Sequence, residues 1–350
     1  MKERILVINT AASKTGAESV MHSFYDNATK RKDVDFVIVI GNLDLKPLDN
    51  VKIIKVPWTK KSWFFRFFFD LFIIPLLAIK IKPTKIFSLE NVCFPLSGCE
   101  QFVFVHQPLY FSNFRIIRKE SFILWFYQNI IARWSYFTLR YADRLIVQTQ
   151  SMKTAIIEKQ IIDAEKISVS FPAVDGRGYK FKKQNYRTFF FPATPLLYKN
   201  HRVIFAACDI LLGKGITDFE IRLTIDKDSI FYKNRKNPNT KIKFLGTLSR
   251  EDVFKEYENS ILLFPSYIES FGYPLAEARA VGSPIIAANT PFAQELLDGY
   301  KNAYFFNYDS PIELASIMEK FIKNEIIYND IPTKIQCEKD YWGEIMDIII

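Results

Sequence analysis

The stretch between residues 260 and 282 constrains the fold of this chain more than any other. It begins with an apolar run, residues 260–264, which predicts a buried strand because short uninterrupted apolar runs are typical of strands covered on both faces. A turn follows, and Pro274 then opens an alanine-rich helix that ends before Gly282, which is the placement of proline and glycine that helix ends favour. A strand, a tight turn and a fresh helix N-terminus present several unpaired N–H groups and the positive end of a dipole at one point. The sequence therefore predicts an anion-binding turn.

Two carboxylates flank this turn. Glu269 precedes the helix and Glu277 lies in its first turn, with seven residues between them. Gly272 removes a side chain where a ligand's phosphate or sugar would approach the backbone. A bare pair of glutamates at this spacing would be read as two solvated residues that favour the helix dipole. Within the sequence FPSYIESFGYPLAEARAVGSPIIA the pair instead indicates a binding site.

Apolar runs of strand length recur in both halves of the chain, and most of them are separated by helical segments. The predicted strands are residues 5–8, 36–40, 51–55, 101–106, 143–149, 166–171, 188–192, 219–225, 241–245, 260–264, 284–288 and 303–306. A long helix is predicted over residues 115–142, and a closing helix over residues 338–350. This alternation predicts a parallel sheet with right-handed crossovers in each half. The pattern breaks at residues 172–187, which we interpret as the linker between two domains.

The composition narrows the classes of partner and compartment. A length of 350 residues suggests two domains, and a charged fraction of 24% excludes a disordered chain. The net charge of +9 favours anionic partners: nucleotide diphosphates, acidic membranes or nucleic acid. The four cysteines show no paired spacing and only three histidines are present, so no zinc site is expected and the cysteines fit a reducing compartment. No signal peptide is apparent, and we expect a cytoplasmic protein, soluble or peripheral on the inner face of the cell membrane.

The glutamate pair and its surroundings resemble the signature of the retaining GT-B glycosyltransferases of family four, the glycosyl transferases group 1. The segments KIKFLGTLSREDVFKEYENS and NTPFAQELLDG extend the resemblance through the second half, whereas the first half matches only in pattern. The resemblance implies an α/β fold with two Rossmann-like domains facing a cleft. Residues 1–172 would form the acceptor domain, residues 173–336 the nucleotide-sugar domain, and residues 337–350 a closing helix that packs back on the first domain.

The same resemblance implies roles for individual residues. Glu277 would bind the ribose hydroxyls of the nucleotide, Glu269 would hold the hydroxyls of the donor sugar, and Lys199 would neutralise the diphosphate. His106 would face the donor sugar and is grouped with Glu269 and Lys199 as catalytic. Further donor contacts are expected from the turn and from the glycine before the first helix: Gly16, Ser270, Phe271, Gly272 and Tyr273.

Two of these assignments have simpler readings. A lone histidine after a strand is more often structural, but His106 closes a strand at its carboxyl end, where open α/β sheets collect ligands. A single glycine before a helix is usually only part of a turn, and Gly16 belongs to no G-x-G-x-x-G dinucleotide fingerprint.

The arginine that the family commonly carries shortly before the lysine is missing, since Pro192-Ala193-Thr194 occupies that place. Nothing in the sequence positions Arg187 or Arg250 to replace it.

Residues 58–75 interleave basic and aromatic side chains. We assign a membrane-facing surface to Lys60, Lys61, Trp63, Phe64 and Arg66, because this mixture suits the headgroup layer of an anionic membrane. The alternative is a core helix of the first domain that ends in charged residues. Both interpretations can hold if one face of the helix packs in the core and its tip is exposed.

Asp226-Lys-Asp228 after a predicted strand could hold a divalent cation that bridges a diphosphate, although a polar loop is the simpler interpretation. We expect no metal and no cofactor, with the nucleotide diphosphate sugar as co-substrate.

The sequence therefore predicts a retaining, metal-independent hexosyltransferase that acts on a glycan or lipid-linked acceptor hydroxyl in bacterial lipopolysaccharide, O-antigen or capsule synthesis. The alternative is a catalytically silent, membrane-associated GT-B scaffold. A nucleic-acid partner is not expected, because the basic residues carry no recognised motif.

Overall fold

The computed structural model describes residues 2–11, 16–176, 178–183, 186–229, 240–329 and 341–350. The chain forms two compact units: Met1–Pro172 together with Lys339–Ile350, and Ala173–Glu338. Residues 12–15 of the loop before Gly16, Cys337, and the predicted boundary at residues 336 and 337 lie outside the described residues.

The first unit is built on a seven-stranded parallel sheet. Its strands are β1 (Glu3–Asn9), β2 (Val34–Ile40), β3 (Val51–Lys55), β4 (Lys85–Ser88), β5 (Glu100–Phe104), β6 (Arg144–Val147) and β7 (Ile167–Val169), in the spatial order β3-β2-β1-β4-β5-β6-β7. The chain reverses direction across the sheet between β1 and β4. This is the topological switch point, outside whose carboxyl edge ligands collect in open α/β sheets.

Helices pack on this sheet, and two of them are interrupted by a wider turn. The helices are α1 (Gly16–Ala28), α2 (Trp63–Phe68), α3 (Ile74–Ile81), α4 (Pro108–Phe111), α5 (Phe122–Phe126), α6 (Ala132–Leu139) and α7 (Gln150–Glu158). A π-helical turn, Phe69–Ile73, joins α2 to α3, and a second one, Tyr127–Ile131, joins α5 to α6. The helix predicted from Arg115 begins only at Phe122, because the Ser121 hydroxyl caps it by accepting the Leu124 N–H.

The second unit repeats this plan with six parallel strands. They are β8 (Thr188–Phe191), β9 (Glu220–Leu223), β10 (Ile242–Phe244), β11 (Ile261–Phe264), β12 (Ile285–Ala288) and β13 (Ala303–Phe306), in the order β10-β9-β8-β11-β12-β13. The helices are α8 (His201–Gly213), α9 (Arg250–Asn259), α10 (Tyr273–Val281), α11 (Pro291–Leu297) and α12 (Pro311–Ile322). Its switch point lies between β8 and β11.

The last helix of the chain, α13 (Tyr341–Ile349), belongs to the first unit. Its Trp342 ring packs 5.6 Å from the ring of Phe24 in α1 and 6.0 Å from that of Phe104 in β5. Ile345 and Ile349 are fully buried in the same core. Each such side chain contributes about 1.5–3 kcal/mol of burial, which holds the end of the chain against the first sheet.

The predicted α/β fold with two Rossmann-like domains is confirmed. Within the described ranges, no helix is both long and apolar enough to cross a bilayer. One strand was not predicted: β4 contains only two apolar residues, Ile86 and Phe87, after Pro83 and Lys85. It nevertheless lies between β1 and β5, so its carboxyl end contributes to the first switch point.

Candidate functional site

The second switch point brings Lys199 and Glu269 together. Lys199 ends a short turn before α8, and Glu269 lies in the loop that follows β11. The lysine Nζ lies 2.5 Å from Oε1 of the glutamate. The two loops are tied by a backbone hydrogen bond, since the Tyr267 N–H donates to the Tyr198 carbonyl at 3.1 Å. The pair is thus fixed by main-chain geometry at the carboxyl edge of the sheet.

Asn200 holds the lysine turn in place. Its φ of 59° is left-handed, a conformation that asparagine adopts more readily than most residues. Its side-chain amide donates to the carbonyls of Tyr308, at 2.7 Å, and Pro265, at 3.4 Å. Both bonds anchor the turn to the loops that follow β11 and β13.

The Lys199–Glu269 pair places a cation and a carboxylate side by side at the edge of the sheet. The two side chains are only 19% and 14% exposed, so their attraction is stronger than that of a surface pair. A diphosphate that engages the ammonium group would release the carboxylate, which can then accept hydrogen bonds from hydroxyl groups. The site is therefore chemically suited to a ligand that carries an anion next to a polyol.

Glu277 lies in the second turn of α10 rather than the first, because the helix already begins at Tyr273. Its Oε2 accepts a hydrogen bond of 3.2 Å from the hydroxyl of Tyr257, and its Oε1 lies 3.6 Å from the Arg250 guanidinium. Burial raises the pKa of Glu277, while Arg250 and the Tyr257 hydroxyl act in the opposite direction. The carboxylate is thus oriented by two side chains from α9.

Tyr257 is a residue that the sequence analysis missed. It is fully buried, and burial together with the neighbouring Glu277 raises the pKa of its hydroxyl well above the usual value, so the hydroxyl stays a hydrogen-bond donor. No sequence signal marks it, because a tyrosine in an amphipathic helix is ordinarily a core residue.

The turn before α10 differs in detail from the prediction. Gly272 adopts a φ of 97°, and a Cβ added there would face Leu275 and Leu296 at 3.4 Å. A glycine is favoured at this position because the backbone is left-handed. An added Cβ would point into the core and not toward space for a ligand. The Phe271 side chain is 1% exposed, so this residue can offer a ligand only its backbone. Tyr273 is 39% exposed, and Ser270 is partly exposed beside it.

Neither Arg187 nor Arg250 takes the place of the missing arginine beside Lys199. Arg187 precedes β8, at the opposite edge of the sheet, and pairs with Asp218. Arg250 lies beside Glu277 instead. In the segment where the arginine would stand, the Ala193 N–H donates to the Thr224 hydroxyl at 2.9 Å.

Asp226 and Asp228 are both exposed. In the part of the chain that the structure describes, no three His, Cys, Asp or Glu side chains gather in a way that could hold a metal ion.

The first switch point carries a cavity of about 530 Å³ within the first unit. Residues that follow β1, β4 and β5 line it, among them Thr10, Glu90 and His106. The side chain of Asn91 accepts the backbone N–H groups of His106, at 2.7 Å, and of Gln107, at 3.0 Å. Burial lowers the pKa of His106 to about 4, so its imidazole is neutral at pH 7. Gly16 is the first residue of α1.

Arg66 does not belong to a membrane-facing surface. Its guanidinium is bonded to Asp70, at 2.9 Å, and to Glu90, and its side chain is 14% exposed. The sequence interpretation was wrong here because a helix of period 3.6 turns residue 66 inward, toward partners that are not evident in the sequence. The other four members of the assigned surface, Lys60, Lys61, Trp63 and Phe64, are exposed.

Comparisons with known proteins agree with this architecture. Residues 179–336 match the family Glycosyl transferases group 1. The fold is of the GT-B class. The lipopolysaccharide outer core galactosyltransferase WaaB superimposes with a TM-score of 0.69 at 15% identity over 99% of both chains. HepE of Anabaena, in complex with UDP and glucose, gives a TM-score of 0.63 at 16% identity over 92% of this chain and 90% of its own.

Among curated proteins, the chain is 25% identical to the O-antigen chain mannosyltransferase RfbU of Salmonella typhimurium strain LT2 over 231 residues. The match covers 63% of this chain and 61% of RfbU, so the chain spans about three fifths of that relative's length. The family model thus covers most of the second unit, and the structural similarities show the GT-B fold.

Proposed function

We propose that the protein is a retaining glycosyltransferase that moves a sugar from a nucleotide diphosphate sugar to a hydroxyl of a glycan or lipid-linked acceptor in cell-surface polysaccharide synthesis. The observation that carries the proposal is the Lys199–Glu269 pair at the switch point of the second sheet, inside the segment that matches the group 1 family. The similarity to RfbU, an O-antigen mannosyltransferase, supports the choice of pathway class.

The proposed roles are those that the family resemblance implies, and the contacts of each side chain support them. Lys199 neutralises the departing diphosphate, which is the largest electrostatic requirement of the reaction. Glu269, once released from the lysine, orients the donor sugar through its hydroxyls. Glu277, oriented by Tyr257, accepts the ribose hydroxyls. Neither glutamate is assigned as a nucleophile, so the acceptor attacks from the side on which the diphosphate leaves, and the departing phosphate takes the proton.

We propose further that no metal or cofactor takes part. Lys199 and the N-terminus of α10 carry the positive charge that a divalent cation would otherwise supply. Turnover that survives excess EDTA supports this assignment. Abolition of turnover by EDTA, with recovery on added Mg²⁺ or Mn²⁺, contradicts it.

The site assignment is tested in two stages. A thermal-shift screen across UDP, GDP, ADP and their sugars finds the donor, because a ligand that binds only the folded state raises the melting temperature. Release of nucleoside diphosphate is then measured for Glu269→Ala and Glu277→Ala. We expect Glu269→Ala to reduce turnover and Glu277→Ala to weaken nucleotide binding.

A matched control for these variants is Glu319→Ala, which removes a carboxylate from an ion-paired position on α12 and should leave both quantities unchanged. Normal kinetics in both active-site variants would contradict the assignment. A wild-type protein that binds a nucleotide sugar without ever cleaving it would favour the silent scaffold.

We also propose attachment to an anionic membrane. In the first unit, α2 and α3 with the turn between them expose large apolar side chains, notably Phe64 (73%), Phe72 (50%), Leu76 (60%) and Ile79 (68%). Apolar patches of this kind rimmed by polar residues mark interaction surfaces, and Lys60 and Lys61 lie at the start of the same segment. Each lysine near an anionic surface contributes about 1 kcal/mol.

Vesicle co-sedimentation tests the attachment. The double variant Lys60→Glu/Lys61→Glu should release the protein from vesicles that contain anionic lipid, whereas Lys227→Glu/Lys301→Glu, exposed lysines of the second unit, should not. Equal binding of the wild type and the first variant would contradict the proposed surface.

A further inference from the structure

Asn91 joins three elements of the first unit at its switch point. It follows β4 shortly beyond the carboxyl edge of the sheet and is 7% exposed. Its Oδ1 accepts the backbone N–H groups of His106, at 2.7 Å, and of Gln107, at 3.0 Å. Its own carbonyl accepts the hydroxyl of Ser135 in α6 at 2.6 Å. One residue therefore connects the chain after β4, the chain after β5 and a crossover helix.

The backbone and the acceptor together explain why residue 91 is an asparagine. Its φ is 61°, in the left-handed region that asparagine enters more readily than most residues. Glycine adopts such a φ without steric cost, but it has no side-chain acceptor. Two successive N–H groups would then lose their partner, and an unpaired donor inside a protein is costly. The position thus favours a side chain that tolerates left-handed backbone and accepts two hydrogen bonds.

The two bonds fix the direction in which the His106 side chain leaves the chain. Before this residue, the Val105 N–H donates to a carbonyl of β6 at 2.8 Å. After it, the Gln107 side chain caps α4. The imidazole itself packs with its centroid 5.6 Å from that of the Phe104 ring. Asn91 holds the peptide groups that lie between these anchors.

The imidazole that these contacts orient is neutral at pH 7. Burial lowers the pKa of His106 to about 4, while the Phe104 backbone and the charge of Glu90 act in the opposite direction. His106, Glu90 and Asn91 line the same cavity. A neutral imidazole accepts a hydrogen bond at one nitrogen and donates one at the other. Its action on a bound hydroxyl group therefore depends on where the two nitrogens point.

We propose that Asn91 is the positioning residue of His106: it holds the peptide groups on both sides of the histidine and so directs the imidazole into the cavity. The hydroxyl of Ser135 supports Asn91 from α6. The inference rests on the proposed transferase function and adds to it a residue that acts through another. When one residue acts only through a second, removing both costs no more than removing the second alone.

A double-mutant cycle on nucleotide-sugar cleavage tests the inference. Asn91→Gly keeps the left-handed backbone and removes the acceptor. We expect Asn91→Gly and His106→Ala each to lower turnover at saturating donor about tenfold or more. Affinity for the nucleoside diphosphate should not change, because the residues proposed to bind it lie in the second unit. The double variant should be within about twofold of His106→Ala. Asn91→Asp, which keeps an acceptor at the same place, should regain most of the turnover.

A milder variant keeps the test valid if Asn91→Gly does not fold. Ser135→Ala removes the hydroxyl that supports Asn91 and should lower turnover about threefold, but only while His106 is present. Its control is Thr138→Val, which removes a buried hydroxyl of α6 that bonds within the helix at 3.0 Å and should not change turnover. The control for Asn91→Gly is Asn50→Ala, which removes a buried asparagine whose amide donates to two backbone carbonyls. It should lower the melting temperature without changing turnover.

Histidine NMR follows the imidazole independently of catalysis. The chain has three histidines, so the ring signals of His106 are assigned by their loss in His106→Ala. In the wild type these signals should titrate well below the usual range of histidine. In Asn91→Gly, where the ring is released toward water, their pKa should rise by about 1 or more. In Asn50→Ala it should not change.

The outcomes separate this inference from the proposed function. If the wild type cleaves a nucleotide sugar, but the losses from Asn91→Gly and His106→Ala add, or His106→Ala costs nothing, the positioning role is overturned and the transferase stands. If the wild type cleaves no nucleotide sugar, the transferase is overturned, and a raised His106 pKa in Asn91→Gly still supports the positioning of the ring. The same His106 pKa in the wild type and in Asn91→Gly would overturn the positioning role in either case.

Discussion

The two units share one strand order, yet their switch points differ in construction. In the second unit the loops after β8 and β11 are bonded directly to each other through Tyr198 and Tyr267, so the site is a tight turn. In the first unit the crossovers at residues 56–84 and 105–143 are long and carry aromatic helices, so the equivalent place is a cavity. Strand order thus sets the position of a ligand site in each sheet. The connections between the strands set the shape and the chemistry of that site.

The ion pairs at the two switch points also differ in their number of partners and in their burial. In the second unit, Lys199 and Glu269 pair one to one in a partly exposed site. In the first, one guanidinium serves two carboxylates whose side chains are 6% and 1% exposed. Pairing at the second site can exchange for a ligand's charge, whereas Arg66 stays bonded to Asp70 and Glu90 inside the first unit.

The largest expected effect is on stability, from Arg66→Met. The variant leaves Asp70 and Glu90 buried next to each other without their cation, and breaking a buried ion pair in this way costs about 3–5 kcal/mol. Urea denaturation measures the loss. The control Arg187→Met removes the exposed pair with Asp218 and should cost at most about 1 kcal/mol. Similar small losses in both variants would remove the contrast between the two units.

The next largest effect is on catalysis, from Lys199→Ala. Loss of the cation at the leaving diphosphate should lower turnover about 100-fold or more, as loss of one transition-state contact does in other enzymes. Steady-state kinetics at saturating donor measure it. Lys214→Ala, which removes an exposed ion pair with Glu319, should leave turnover unchanged. A fall of less than about threefold in Lys199→Ala would show that the second switch point does not hold the leaving group.

A smaller effect distinguishes the units by pH. Burial raises the pKa of Asp70 to about 7, and the nearby Glu90 adds to the shift while Arg66 opposes it. Because the folded state holds this proton above the pH at which the unfolded chain loses it, the stabilisation is complete below about pH 4 and is lost as the pH rises through 7. The slope is at most about 1.4 kcal/mol per pH unit.

Denaturation of the wild type and of Asp70→Asn between pH 5 and 8 tests this. The difference in unfolding free energy between them should shift in favour of the wild type as the pH falls from 7 to 5, and it should level off between pH 7 and 8. A difference that is independent of pH would mean that Asp70 titrates normally.

The smallest effect concerns Tyr257. Tyr257→Phe removes the hydroxyl that orients Glu277, and one hydrogen bond of this kind is worth about 1 kcal/mol. Nucleotide affinity should fall about fivefold with little change in turnover at saturation. The control is Tyr300→Phe, which removes a buried hydroxyl bonded to the Ser283 carbonyl at 2.7 Å and should reduce stability without changing nucleotide affinity.

Much of the fold could be predicted from the sequence, because continuous apolar strands and helix-end residues carry local signals. The strand of residues 260–264 and the turn before α10 lie where the sequence indicates. β4 could not be predicted in this way, since only two apolar residues mark it and its position depends on pairing with β1 and β5. Glu90, which follows β4, was missed with it.

The residues of the candidate sites also divide into those with a local sequence signal and those placed by tertiary contacts. Glu269 and Glu277 stand in a segment with a recognisable motif, so they could be named from the sequence as candidates, and Lys199 was named only through the family resemblance. The bond from Tyr257 to Glu277 and the bonds from Arg66 to Thr10 and Glu90 join side chains that are far apart in the chain. Arg66 was misassigned for this reason, because its surroundings are set by tertiary packing.

The cavity of the first unit depends on the two π-helical turns in the helices that line it. Each such turn accommodates one more residue than an α-helix would, and Asp70 and Tyr127 both lie within one. Deleting a single residue from Phe69–Ile73 would restore a continuous α-helix and rotate everything before it by about 100° about the axis. Trp63 and Arg66 would then leave the cavity together. Insertion or deletion of one residue in this turn would therefore change the cavity more than a substitution of any of its side chains would.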